Sequence, residues 1–219
     1  MRFVGTVHTM VARGGRPPML IAIAGARPSR MVVVAYDISS PRRARDVRRV
    51  FDAVNHAKQY SVYEAMLNQG ELRKVLTEVS ACCDPSADLL AAWWPLDGMR
   101  LVWREEALKI EAQAGGFCGK PAKLQLNIGN FMLCYDISDA TALRTVAAEI
   151  AAESAMVQRS VYWLRAPTAR LAALLRRCAP HLATSDRLWA YPLGASRGLW
   201  CMGDETVTRS VLPIATYHW

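Results

Sequence analysis

Met31-Val32-Val33-Val34-Ala35-Tyr36 is an unbroken apolar run rich in β-branched residues. That pattern belongs to a strand buried on both faces, since a strand with one wet face alternates. Ser39 or Ser40 can cap a helix that follows, with Pro41 at its first position, where proline's missing N–H is harmless. The helix runs to about Asn55, and Val47, Val50, Phe51 and Val54 fall on one face of it. Residues 59–67 read as strand, 69–81 as a second helix, 89–96 as another strand, and 99–103 as a short final one. This order is one strand short of the βαββαβ of a ferredoxin-like sheet. Either 59–67 bends into two short strands or one strand is missing.

The same pattern then returns. Tyr36-Asp37-Ile38-Ser39 recurs as Tyr135-Asp136-Ile137-Ser138, an offset of 99 residues. Gln59, Ser61, Val62 and Tyr63 recur as Gln158, Ser160, Val161 and Tyr162, and Leu72 and Leu76 as Leu171 and Leu175. Further on, Pro95-Leu96, Arg100 and Trp103 recur as Pro192-Leu193, Arg197 and Trp200, at an offset of 97. Matched blocks in one order and at nearly one spacing identify a tandem duplication. The expected organisation is a basic extension over 1–30, a first ferredoxin-like module over 31–103, a linker over 104–128, a second module over 129–203 and a tail over 204–219. The linker contains Gly115-Gly116 and Gly119-Lys120-Pro121, with a helical turn expected over 105–113. The fold class is α+β. Modules this small bury a modest core, so the two are expected to dock as an intrachain pseudo-dimer with approximate two-fold symmetry.

The chain has 219 residues, 52% of them hydrophobic, and a net charge of +8. The first 30 residues hold five arginines and no acid, whereas 31–103 are neutral overall. Such a balance attracts polyanions. The six cysteines form no CxxC pair and none lies beside a histidine at metal-ligand spacing, which reads as free thiols rather than a zinc site. No apolar run approaches the roughly 20 residues of a membrane span, and the stretch 19–24 ends in Gly25 and Arg27-Pro28 rather than a cleavage site. A cytoplasmic location with no membrane partner is expected.

Chemistry built on the duplication should use residues present in both copies. The histidines fail that filter, since His56 corresponds to Ala155 and the others have no counterpart. There is no GxGxxG or P-loop either, so no small-molecule cofactor is expected. Asp37 and Asp136 pass, each ending a first strand just before a helix. If the pseudo-two-fold brings them to about 5 Å, their repulsion is roughly 3 kcal/mol at an effective dielectric of 20. A Mg²⁺ ion between them would suit that arrangement. The alternative is that each aspartate caps its helix.

Arg42, Arg45 and Arg49 cluster within about 60° of helix surface, taking 100° per residue, and Arg48 flanks them. Arginine's planar fork suits phosphate. In the second copy Arg42, Arg43, Arg48 and Arg49 become Thr141, Ala142, Ala147 and Ala148, and only Arg45 persists, as Arg144. Basic residues there have moved to Arg165, Arg170, Arg176 and Arg177, so a nucleic-acid surface would be asymmetric. Trp93, Trp94, Trp189 and Tyr191 lie in expected strands, where core packing is favoured over base stacking.

Val33-Val34-Ala35-Tyr36-Asp37-Ile38-Ser39, the arginine-rich helix, Gln59-Tyr60-Ser61-Val62-Tyr63-Glu64 and the terminal Trp94-Pro95-Leu96 together resemble the CRISPR-associated protein 2 family. The resemblance covers both copies, about two-thirds of the chain. It implies a ferredoxin-like module that works as a homodimer, with Asp37 and Asp136 matching the family's proposed Mg²⁺ ligand. It also implies either metal-dependent endonuclease or endoribonuclease activity, or a non-catalytic bridge between integrase subunits. Departures are the fusion of two copies, the N-terminal extension, and the change of Tyr60 to Arg159 and Glu64 to Trp163. The expected function is a nucleic-acid-binding subunit of CRISPR adaptation, holding spacer DNA for integration. Its partners would be double-stranded DNA, or RNA as the alternative, and a CRISPR integrase subunit. A Mg²⁺-dependent nuclease with Asp37 and Asp136 as catalytic metal ligands is the second reading. A small-molecule regulatory module is the third, and it explains neither the arginines nor the aspartates.

Overall fold

A computed structural model describes residues 9–10, 29–54, 57–59, 62–112, 129–193 and 199–202. Tyr60, Ser61, most of the basic extension, the glycine-rich part of the linker and the tail lie outside the described residues. The chain forms two compact units, one of residues 1–94 with 196–219 and the other of residues 95–195.

In the first unit β1 (Thr9–Met10) and β2 (Arg30–Asp37) precede α1 (Pro41–Asp52). Next come β3 (Ala57–Gln59), β4 (Val62–Leu67), α2 (Gln69–Cys82) and β5 (Leu89–Trp93). Strands β5-β2-β4-β3 lie side by side, every pair antiparallel. That is the ferredoxin-like sheet, and the missing strand is β3. The stretch expected as one strand over 59–67 begins earlier and is a hairpin of two.

The second unit holds β6 (Met99–Arg104), β7 (Ala107–Ala112), β8 (Gly129–Asp136), α3 (Ala140–Ala151), β9 (Ala155–Gln158), β10 (Val161–Ala166), α4 (Thr168–Cys178) and β11 (Arg187–Leu193). Its central order β11-β8-β10-β9 repeats that of the first sheet. The two units are therefore tandem ferredoxin-like modules, as expected from the sequence.

Two features depart from the sequence reading. Residues 105–113, expected as a helical turn, instead contain β7, antiparallel to β6 across a two-residue turn. Glu105 and Glu106 carry that turn at φ 51° and 58°, the left-handed pair that a tight hairpin requires. Residues 99–103 do form a strand, β6, but it pairs with β11 of the second unit. Reciprocally, β12 (Leu199–Met202) pairs antiparallel with β5 in the first unit. Pro95 and a 3-10 turn over 96–98, with Asp97 and Gly98 at positive φ, lead the chain out of β5 instead of reversing it into a hairpin.

Helices cover one face of each sheet. Ala44, Val47 and Phe51 of α1 and Leu72, Val75, Leu76 and Val79 of α2 are the buried residues of the first pair. All of these except Ala44 form one core with Val32, Val34, Tyr36, Tyr63 and Ala65. The opposite face, with Met31, Val33, Ala35, Val62 and Trp93, is also buried, which explains the unbroken apolar run. Asp37 and Asp136 alternate with the helix-facing residues of β2 and β8, so each sits on the second face of its own sheet.

Candidate nucleic-acid interface and strand-end carboxylates

Asp37 is half-buried at the end of β2, level with Leu89 of β5. The turn after it is fixed by a residue the sequence reading missed, Asp88, whose side chain is wholly buried. The Ser39 N–H donates to Asp88 Oδ1 at 2.8 Å and the Ser39 hydroxyl at 2.9 Å. Arg43 donates from Nε to Oδ2 at 2.8 Å and from Nη2 to Oδ1 at 3.2 Å, and the Asp84 N–H reaches Oδ2 at 2.8 Å. Burial pushes the Asp88 carboxyl up, but Arg43 and the N–H groups of Asp84 and Ser39 outweigh it and hold the group at about 2. This one carboxylate ties the strand end, the first turn of α1 and the loop before β5 together.

The second unit repeats the device in weaker form. Asp186 Oδ1 accepts from the Ser138 N–H at 3.1 Å and the Ser138 hydroxyl at 3.0 Å, and Oδ2 accepts from the Ala183 N–H at 2.9 Å. Where Arg43 stands in the first unit the second has Ala142, so no arginine closes this latch. Asp136 ends β8 level with Arg187. Its carboxyl is raised by burial and by the neighbouring Asp186, against the pull of Arg187. Arg187 is itself engaged, donating through Nη1 to the carbonyls of Thr184, Ser185 and Asp186.

Asp88 and Asp186 are 98 residues apart, between the offsets of 99 and 97 that frame the repeat. Each precedes the last strand of its module. A search that allowed the offset to drift would have found them.

The arginines of α1 divide by role. Arg43 is structural, locked to Asp88. Arg49 pairs with Asp46 at 3.2 Å. Arg42, Arg45 and Arg48 are exposed, and no hydrogen bond or ion pair engages them among the described residues. On α3 Arg144 is exposed and lies 3.4 Å from the Thr141 hydroxyl. On α4 Arg170 and Arg177 are drawn into ion pairs with Glu153 and Glu149.

The aromatics serve the core, as expected. Trp93, Trp189 and Tyr191 are buried, and Trp94 packs against the first core. Glu64, by contrast, is a fully buried acid on the second face of the first sheet. Cys82, Cys83, Cys134, Cys178 and Cys201 are free thiols. Among the described residues no three His, Cys, Asp or Glu side chains form a metal-binding group, and no helix is long and apolar enough to cross a membrane.

A curated protein from Nitrosomonas europaea, CRISPR-associated endoribonuclease Cas2 2, is 38% identical to the chain over 60 residues. The match covers 27% of this chain and 53% of that relative, about half its length. A crystal structure of the hypothetical protein TT1823 from Thermus thermophilus aligns at 25% identity over 32% of this chain and 85% of that one, with a TM-score of 0.31. The family described as CRISPR associated protein Cas2 matches residues 30–94 and again residues 130–197. Those two stretches hold both Asp37 and Asp136, both latches and the arginine face of α1, and together they exceed half the chain: it belongs to the CRISPR-associated Cas2 family, twice over.

Proposed function

We propose that the chain is a nucleic-acid-holding subunit of CRISPR adaptation, which bridges integrase subunits and grips spacer DNA while it is joined to the repeat array. The observation that carries this reading is the outer face of α1. Arg42, Arg45 and Arg48 stand exposed on successive turns with no acid engaging them among the described residues. Like charges at this spacing destabilise a helix slightly, and a phosphate backbone laid along it reverses the sign. Guanidinium forks grip phosphate oxygens in pairs. Such contacts position a duplex without reading its sequence. Two modules in one chain would supply what two copies supply in a homodimer.

The test is integration with the partner integrase, a spacer duplex and a repeat-bearing target. Asp37→Asn with Asp136→Asn should integrate at close to the unaltered rate. Loss of integration, with fold and duplex binding intact, would overturn the scaffold reading.

A second reading, a metal-dependent nuclease, is favoured by the strand-end carboxylates and by the name of the Nitrosomonas relative. The donors present fit Mg²⁺: hard carboxylate oxygens, with Asp136 held high by burial and by Asp186, a balance that a cation relieves. Each unit offers one such strand-end aspartate, so the ion would keep several waters. When bound, it would supply charge stabilisation on phosphate oxygens and a more acidic water. Asp37 and Asp136 would hold it, and Asp88 and Asp186 would fix the turns that follow them. On this reading Asp37→Asn or Asp136→Asn abolishes Mg²⁺-dependent cleavage and leaves duplex affinity nearly unchanged.

A further inference from the structure

We infer that the two units are unequal towards nucleic acid: the phosphate backbone of a duplex is gripped by α1 of the first unit, and the matching face of the second unit takes no part. The inference rests on the phosphate-holding reading above and says which half of the chain does the holding.

The argument is one of charge already spoken for. From Arg42 to Arg48 is six residues, about 9 Å of helix axis. Within that length stand three exposed guanidiniums, and Asp46, the one acid of α1's first three turns, is taken by Arg49 at 3.2 Å. The stripe also has a fixed footing, because Arg43 is locked to the buried Asp88. A phosphate approaching α1 therefore meets unneutralised charge on an anchored helix.

The second unit differs at each of these points. Its α3 keeps Arg144 alone, and Ala142 leaves the turn without the arginine lock. The arginines of α4 do not replace the stripe. Arg170 Nε lies 2.7 Å from Glu153 Oε2, and Arg177 Nε lies 2.8 Å from Glu149 Oε2. Arg177 Nη2 also reaches Glu153 Oε1. Two guanidiniums and two carboxylates cancel, and Glu153 is held below the ordinary range by Arg170 and Arg177. A phosphate would have to displace carboxylates already at contact distance. Arg165 and Arg176 are exposed, but with Arg144 they sit on three different elements, β10, α4 and α3. Charges so dispersed do not track a backbone.

Two charge-matched variants of the full chain test this against a mixed-sequence duplex over a salt series. Arg42→Ala/Arg45→Ala/Arg48→Ala and Arg144→Ala/Arg165→Ala/Arg176→Ala each remove three charges, so any general loss of attraction is the same in both. The first should weaken binding about tenfold or more and lower the salt slope by about 2.7, at roughly 0.9 per lost contact. The second should change affinity by less than about threefold and the slope by less than about one. A gain-of-function variant removes any concern over folding. Thr141→Arg/Ala148→Arg sets two further guanidiniums beside Arg144, at the exposed positions matching Arg42 and Arg49, and should tighten binding, raising the slope by about 2.

Equal losses from the two triple variants overturn the inference. So does a first-unit variant that binds duplex normally but no longer binds the integrase, which would make the stripe a protein-docking face. Failure of the unaltered chain to bind any duplex at low salt sinks the phosphate-holding reading itself, and is told apart from the other two outcomes by that control.

Discussion

Asp88 shows how much one side chain can organise. Its folded-state value of about 2 lies below the ordinary 3.8, so the ionised form stabilises the fold. The contribution is fully present above about pH 4 and is lost as pH falls through about 2. The difference is worth roughly 2 kcal/mol. Asp88→Asn should lower stability at neutral pH by about that amount and flatten the acid limb of the stability curve between about pH 4 and pH 2. Urea unfolding at stepped pH reads both, and an unchanged acid limb would show that the latch contributes nothing. Asp186→Asn should cost less, because Asp186 lacks an arginine partner and is only half-buried. Asp37 and Asp136 were legible in the sequence because they repeat inside an aligned block, YDIS. Asp88 and Asp186 were not, because they fall where the repeat slips to an offset of 98, and only Leu90/Leu188 and Ala92/Ala190 share that register beside them. Arg43 was visible only as one arginine among five. Its role depends on a partner 45 residues away, which helix periodicity does not reveal.

The elements divide in a similar way. All four helices were legible or follow from the repeat, because their apolar stripes have the right period and length. Their starts differ in strength. Asn68 caps α2 in a reciprocal box, accepting from the Gly70 and Glu71 N–H groups at 2.8 and 3.0 Å while its own N–H donates to Glu71 Oε2 at 2.7 Å. Asn68→Ala should therefore cost about 1 kcal/mol, read as a lower urea midpoint at unchanged slope. The hairpins were the part that stayed hidden. Tight turns are recognised by Gly or Asn, yet Arg159-Ser160 joins β9 to β10 with Ser160 at φ 65°, and Glu105-Glu106 joins β6 to β7. Glutamate is a good helix former, so its presence there favours the helical turn expected over 105–113 rather than a hairpin. The same misfit offers a test. Glu106→Gly removes the cost of holding a side chain in the left-handed region and should stabilise the second unit by about 1 kcal/mol. No gain in thermal midpoint would mean that the turn is not strained.

For the whole molecule, the duplication was plain in the sequence but the boundary of each folded unit was not. An apolar segment such as 99–103 announces that it is a strand and does not announce whose sheet it joins. Here β6 extends the second sheet and β12 the first. Truncation after Ala195 removes β12 and should therefore damage the opposite half of the sequence. Backbone amides of β5, over Leu89–Trp93, should exchange hydrogen much faster, while β8 and β10 in the second unit keep their protection. Equal loosening of both units would count against that assignment. The arrangement also sets a schedule for synthesis. Leu199 pairs with Trp93, so the ribosome must add more than a hundred residues after β5 before its last partner strand exists. At roughly 5–20 residues per second that wait is about 5–20 s. Throughout it a nascent chain displays β5 as a bare, apolar edge, the kind of edge that recruits strands from other chains. Neighbouring nascent chains on one message can then lend each other β12, so densely loaded messages should yield interlinked dimers that sparsely loaded ones do not.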